Sequence, residues 1–526
     1  MENSIITMDI ETVNINQNQI PIAITLCDSD KNKLFFNNKN IGNDNNKLWL
    51  DLFKYLEGNS IQGQIFIFVH NLGSFDGYFI FKTISKLFHP SQVQTMIDHH
   101  NKFIKIILKK NKEFIWIDSY RIFPISLDNL CKQFSVDGKL DKYKLEYNNL
   151  DNLKGNLFNE FKNYALQDSK ALYDCLTIAQ QIYINEYNVD ITSIVSTPSL
   201  SMRIFMLKFL KFDIPILKRV QDKFIRKGYY GGHTDYYKKY IKKGFYYDVN
   251  SLYLFAMLKP MPHEIIIINH HKNMDNINLN DFFGNIKCEI ETPNDILKPL
   301  LPYKDPNTSK TIYPVGKWSA IYFSEELKAV LLRIGEKYGY KFKLLEGYEF
   351  SRINLFSDYV NHFYNIKKSS GKNSPQRFIA KLHLNTLYGT FGRKQEVIQT
   401  INVFNHELYN YISTKFIKSM ITINDEITTL LIHNNLNIDL IKKLNILIDS
   451  NYSSFELSVK SNVAIAAAVT SYAIIHMIPF ILNPGTVYTD TDSIFSENPI
   501  PLHLIGEALG LMKDELEGQI IVPFAT

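Results

Sequence analysis

The stretch from Thr486 to Phe495, TVYTDTDSIF, sets Asp490 and Asp492 in a polar turn between apolar residues. Two short apolar runs closing on such a turn read as a β-hairpin. The turn then carries two carboxylates to a sheet edge, open to a substrate, whereas a merely polar turn would not need the flanking strand pattern. The 526 residues allow about three or four domains, and an apolar share of 45% is enough for sizeable cores. The net charge of +5 permits nucleic-acid binding without demanding it, since basic charge can be concentrated in one channel.

Cys27, Cys131, Cys175 and Cys288 are scattered with no CxxC pair, which argues against a zinc site or a disulfide framework and fits a reduced compartment. The first residues read as neither a secretory signal nor an Arg/Ser-rich transit peptide. The apolar run Val463 to Leu482 has the length of a membrane span. It contains Thr470, Ser471, Tyr472, His476 and Pro479, and the expectation is a buried helix and no membrane.

Strands are expected at SIITMDIETV, IPIAITLCD and GQIFIFVHN, with a helix around FNEFKNYALQDSKALYDCLTIAQQIY. Together they read as an α/β domain over residues 1–195. A Thr-Pro break at Thr197 marks a new helix, and a second domain is expected over 196–526. It opens with a strand at GFYYDVNSLYLF and contains a helix around RFIAKLHLNTLYGTFG. The polar tracts near 36–48 and 404–450 read as surface loops or insertions.

Asp9 and Glu11 lie two apart on a predicted strand, so both carboxylates face one way. Asn71 and Asp76 follow the end of another strand. Tyr164 and Asp168 lie four apart on one helix face. Asp9, Glu11, Asp76 and Asp168 supply the four carboxylates that two Mg²⁺ ions roughly 4 Å apart need for phosphodiester hydrolysis, and Tyr164 can orient the attacking water. Each pattern alone is unremarkable. Their order resembles the three motifs of DEDD-type proofreading nucleases. SLDNL (Ser126, Leu127) and KYKL (Lys142) resemble two short motifs of protein-primed polymerases, which contact the single-stranded primer end and assist the nuclease.

VYTDTDSIF closely resembles motif C of family B DNA polymerases. YYDVNSLYLF resembles their motif A, with Leu254 where proline is usual. KLHLNTLYG resembles motif B, with Thr386 for serine, and YYGGHTD matches their YxGG motif. The resemblance is to the organellar and viral, protein-primed branch and runs from Asp9 to about Asp514. It implies a multidomain α/β and α+β fold: a ribonuclease H-like 3′→5′ exonuclease followed by a polymerase palm and fingers. Terminal-protein-type insertions are expected near 260–360 and 395–455.

The resemblance further implies that Asp248 and Asp492 hold two Mg²⁺ (or Mn²⁺) ions, with Asp490 beside them. Tyr253 would exclude ribose, because a 2′-hydroxyl would clash with its ring. Lys381, Asn385 and Tyr388, at i, i+4 and i+7 of a helix, would meet the triphosphate and nascent base pair. Arg377 reads as a second phosphate contact or equally as a solvated basic residue. Tyr229, Gly231 and Gly232 would grip template, and Asn71 would contact DNA. Implied partners are primer-template DNA, deoxynucleoside triphosphates and a terminal priming protein. The implied setting is a mitochondrion, with a virus or cytoplasmic plasmid as alternatives. No KxY motif follows Asp492, so a thumb is expected to be absent, as in a truncated gene product. A nuclease alone and an inactive DNA-binding remnant remain open as other readings.

Overall fold

Long β-branched and aromatic runs near the N-terminus build a seven-stranded sheet. Its strands lie in the order Lys31–Phe36, Asn18–Asp28, Ile5–Ile15, Gln64–Val69, Glu113–Asp118, Phe103–Lys109 and Val93–Ile97. The three central strands are parallel and the outer ones antiparallel. The computed structural model describes residues 3–15, 17–29, 31–37, 46–98, 100–138, 144–148, 150–241, 243–269, 274, 276–393, 398–437, 462–517 and 524–525. The described chain divides into two compact units: residues 1–208, 366–383 and 396–457, and residues 209–365, 384–395 and 458–526.

In the first unit, helices Asn46–Glu57 and Asp76–Leu87 bury Trp49, Leu52, Ile80 and Ile84 in one core with the sheet. The 33-residue helix Gly155–Tyr187 packs Phe161 and Ala165 into a second core with Val13, Ile22 and Ala23. His383 is fully buried in this unit. Its ring lies 2.9 Å from the Tyr183 hydroxyl and 2.7 Å from the Ser201 hydroxyl. Burial pushes its pKa down to about 3, so the ring stays neutral.

The polar tract expected as loop at 404–450 differs in its described part. Ile398–Phe404, Ile427–Asn437 and Lys415–Thr422 form a three-stranded antiparallel sheet in that order. Val403, Leu430 and Ile432 make its core. Asn402 Nδ2 donates to the Val93 carbonyl at the edge of the large sheet. The Asn/Lys-rich surroundings mask the short β-branched and apolar run ITTLLI, which is buried throughout. In the other polar tract, residues 38–45 lie outside the described residues.

In the second unit, an antiparallel sheet has the order Met512–Asp514, Phe245–Val249, Ser493–Ser496, Thr486–Asp490, Thr234–Tyr236. A four-stranded sheet runs Met261–Asn269, Lys341–Ile353, Gly284–Glu291, Lys317–Phe323. The strand expected through GFYYDVNSLYLF ends at Val249. Ser251 turns left-handed (φ 55°) and a helix, Leu252–Met257, follows. The apolar run from Val463 is a helix to Ile481, apolar all round and mostly buried inside this unit. Lys298 Nζ donates to the carbonyls of Ile481, Asn483 and Thr486, tying the end of that helix to the next strand.

Glu326 is fully buried in this unit. One oxygen accepts from the Ser471 hydroxyl at 2.6 Å and the other has no hydrogen-bond partner. Burial raises its pKa to about 7. Because the folded value lies above the unfolded one, the folded state favours the neutral acid. Its stability is undiminished below about pH 4.5, falls as pH rises towards 7, and is flat above. The loss from this one group is expected to be roughly 3 kcal/mol. Glu326→Gln should remove that slope. Urea unfolding at pH 5 and pH 8 checks it: an equal pH dependence in both proteins would refute the assignment.

Candidate active site

The first unit brings Asp9, Glu11 and Asp76 together. Asp9 and Glu11 stand half-buried on the same side of strand Ile5–Ile15, with buried Ile10 between them. Asp76 opens helix Asp76–Leu87 and is 3% exposed. Its pKa is held well above the usual carboxylate range, first by burial and then by the charge of Asp9, with Glu11 adding to it. Its Oδ1 has no hydrogen-bond partner. Asp168 is buried on helix Gly155–Tyr187. That helix meets the strand of Asp9 where the Thr7 hydroxyl donates to the Ser169 carbonyl at 2.6 Å. Tyr164, one turn before Asp168, packs its ring 5.9 Å from that of Tyr147.

Asn71 is exposed in the left-handed region (φ 69°) just after strand Gln64–Val69. The loop it belongs to is organised by Asp118, which sequence reasoning did not single out. The buried Asp118 carboxylate accepts from the backbone N–H groups of Asn71, Gly73 and Tyr120 at 3.0–3.1 Å. Ser126 is exposed and caps helix Leu127–Phe134 by accepting from the Asn129 N–H, whereas Leu127 is in the core. Lys142 lies outside the described residues.

In the second unit, Asp248 lies on strand Phe245–Val249 and Asp492 in the turn that leads into the neighbouring antiparallel strand Ser493–Ser496. Asp248 is in register with Ser493, and the Val249 N–H donates to the Asp492 carbonyl at 2.7 Å. Burial, then the charges of Asp492 and Glu515, raise the Asp248 pKa to about 6. Burial, then Asp490, raise that of Asp492. Asp490 is exposed at the end of its strand, where the Thr234 hydroxyl donates to it at 3.1 Å. Tyr253 and Tyr388 stack with ring centres 4.4 Å apart and planes 13° apart.

Helix Pro375–Phe391 carries Lys381, Asn385 and Tyr388, the first two exposed. Arg377, on its first turn, donates to the Lys367 carbonyl, so its guanidinium closes the end of helix Ser357–Ser369. Tyr229 packs against Gly392, where an added Cβ would lie 2.6 Å from the Tyr229 ring. Arg226, unmarked by any sequence signal, pairs with Asp222 and donates to the Gly392 and Arg393 carbonyls. Gly231 has open space around it, while Gly232 lies against Thr491.

Both acidic groups offer oxygen donors only, with mutually repelling carboxylates and, at Asp76, an orphaned oxygen. Such sets suit a hard divalent cation. Among the described residues no three His, Cys, Asp or Glu side chains stand close enough to form a ready-made metal cage.

Asp490 at the end of one strand, Asp492 in the adjoining two-residue turn and Asp248 on the neighbouring strand form one acidic group. A family profile described as "DNA polymerase type B, organellar and viral" matches residues 57–154 and 138–485, and the chain belongs to that family. It is 31% identical to a "Probable DNA polymerase" of Ascobolus immersus over 97% of this chain and 44% of that protein. It is 29% identical to a "Probable DNA polymerase" of Agaricus bitorquis over 89% of this chain and 64% of that protein. The chain thus spans about half the length of these curated relatives. Its mixed α/β multidomain fold is that of Phi29 DNA polymerase, solved with primer-template DNA and incoming nucleotide. The TM-score is 0.70 at 18% identity, over 98% of this chain and 84% of that one.

Proposed function

We propose that this chain is a DNA-directed DNA polymerase with a 3′→5′ proofreading exonuclease. The observation that carries the reading is the approach of Asp248 on its strand to Asp492 in the adjoining turn, where burial and then the Asp492 charge raise the Asp248 pKa to about 6. Asp248 and Asp492 would hold two divalent ions, Mg²⁺ or Mn²⁺, which supply charge screening and activation of a primer 3′-hydroxyl. Asp490 adds negative potential at the turn. Lys381 would neutralise triphosphate charge, while Asn385 and Tyr388 border the nascent base pair. Asp9, Glu11, Asp76 and Asp168 would hold the ions of the nuclease, with Tyr164 orienting water. Asn71, Ser126, Leu127, Lys142, Tyr229, Gly231 and Gly232 are proposed DNA contacts, though burial of Leu127 suits a supporting role. A terminal priming protein, and replication of a mitochondrial or linear plasmid DNA, complete the proposal. The fungal relatives and the protein-primed branch of the family favour them.

Primer extension by purified protein tests the polymerase reading, with 3′ digestion of labelled single-stranded DNA run beside it. Digestion without extension would leave a nuclease. Neither activity, with DNA still bound, would leave a binding remnant.

The Tyr253–Tyr388 stack makes a specific prediction about sugar choice. A rigid aromatic wall rejects a 2′-hydroxyl by clash, and shape differences of that size are worth about 1–3 kcal/mol. Tyr253→Val should keep deoxynucleotide incorporation and raise the relative kcat/KM for ribonucleotides by roughly 10–100-fold. An unchanged ratio would place the gate on another residue.

A further inference from the structure

The turn that presents Asp490 and Asp492 contains a residue in an unfavourable conformation. Strands Thr486–Asp490 and Ser493–Ser496 are joined through Thr491 and Asp492, and Thr491 has φ 58°. Two-residue hairpins require positive φ at the first turn position, where glycine, asparagine or aspartate is usual. A β-branched residue there is a conformational outlier, stiff at χ1, and persists only where its surroundings over-determine it.

Those surroundings are one short segment, Gly232–Thr234. The His233 carbonyl accepts from the Thr491 N–H at 2.8 Å. The His233 ring, 1% exposed, bonds through Nδ1 to the Thr489 hydroxyl at 2.9 Å. The Thr234 hydroxyl donates to Asp490. Gly232 lies flat against Thr491: an added Cβ would stand 2.5 Å from Thr491 Cγ2 and Oγ1 and 2.8 Å from its Cβ. No rotation of the stiff threonine side chain clears all three atoms.

We infer that Gly232 and His233 are positioning residues for the carboxylates of the turn: they clamp Thr491 in its left-handed conformation and so aim Asp490 and Asp492. The inference rests on the reading of Asp248 and Asp492 as a metal-binding pair. It assigns to this segment a task distinct from gripping template, exerted through the turn and without contact to DNA.

Mn²⁺ titration followed by electron paramagnetic resonance tests it, using the full chain with Asp9→Ala and Glu11→Ala to silence the first unit. Asp492→Ala in that background defines the ions that belong to the turn. Gly232→Ala and His233→Ala are expected to weaken those ions roughly tenfold, as loss of an outer-shell support does. His233→Asn, whose amide can reach Thr489, should recover most of the affinity. Thr491→Gly should suppress Gly232→Ala, because it removes both the clash and the strained φ. Wild-type Mn²⁺ affinity in Gly232→Ala and His233→Ala, with ions lost in Asp492→Ala, would overturn the clamp and leave the metal pair standing. Weakening that neither His233→Asn nor Thr491→Gly relieves would also overturn it. Unchanged Mn²⁺ binding in Asp492→Ala would instead remove the metal pair, and the clamp with it.

Discussion

Asp248→Ala or Asp492→Ala is expected to slow nucleotide incorporation by on the order of a thousandfold or more, equivalent to several kcal/mol of lost charge stabilisation. The two carboxylates are not interchangeable spares. One sits on a strand and the other in the adjoining turn, and after burial the Asp492 charge is the second cause that raises the Asp248 pKa to about 6. In the proposed site either truncation removes one of the two ligands. Single-turnover extension of a labelled primer measures the loss; a variant within tenfold of wild type would remove that residue from the chemistry. The same geometry sets a pH limit. Without a cation Asp248 gains a proton as pH falls through about 6, so protons compete there with the divalent ion and the Mg²⁺ concentration needed for incorporation should rise. In Asp492→Ala the second cause of the Asp248 shift is gone, so its titration, followed by carboxyl-selective NMR, should move to lower pH.

Asp9→Ala combined with Glu11→Ala should reduce 3′ digestion of single-stranded DNA on a comparable scale, again roughly a thousandfold. Synthesis should be untouched, because Asp248 and Asp492 belong to the other compact unit. Asp76 and Asp168 would remain, with the Asp76 pKa still raised by its first cause, burial, and half of the proposed ligand set gone. Digestion at the wild-type rate in the double variant would show that these carboxylates are not those of a nuclease, and slowed synthesis would show that the activities share residues.

Short-range periodicity made much of this legible in the chain. Period two sets Asp9 and Glu11 on one side of a strand, and the apolar flanks of Asp490 and Asp492 specify a hairpin. Helical spacing aligns Lys381, Asn385 and Tyr388. What escaped reading depends on distant partners. Asp118 serves Asn71 and Gly73 across a sheet, and Arg226 reaches carbonyls beyond Gly392. The neutral His383 lies between Tyr183 and Ser201. None of these residues differs locally from an ordinary surface or core residue. The sheet over Ile398–Asn437 escaped for another reason. Asparagine and lysine dominate its neighbourhood, and composition outweighed the short apolar run ITTLLI within it. Asn250–Ser251 likewise interrupts an apolar run too briefly to reveal that strand gives way to helix.

The order in which the chain visits its two compact units governs how the protein can be taken apart. Expressed as residues 1–208, the fragment would lack His383, the hydrogen-bond partner of the Tyr183 and Ser201 hydroxyls. It would also lack Asn402, which covers the Val93 carbonyl, and so bare the rim strand Val93–Ile97 to pairing with other chains. Producing the first compact unit by itself therefore calls for a spliced gene that keeps residues 366–383 and 396–457 with the first segment.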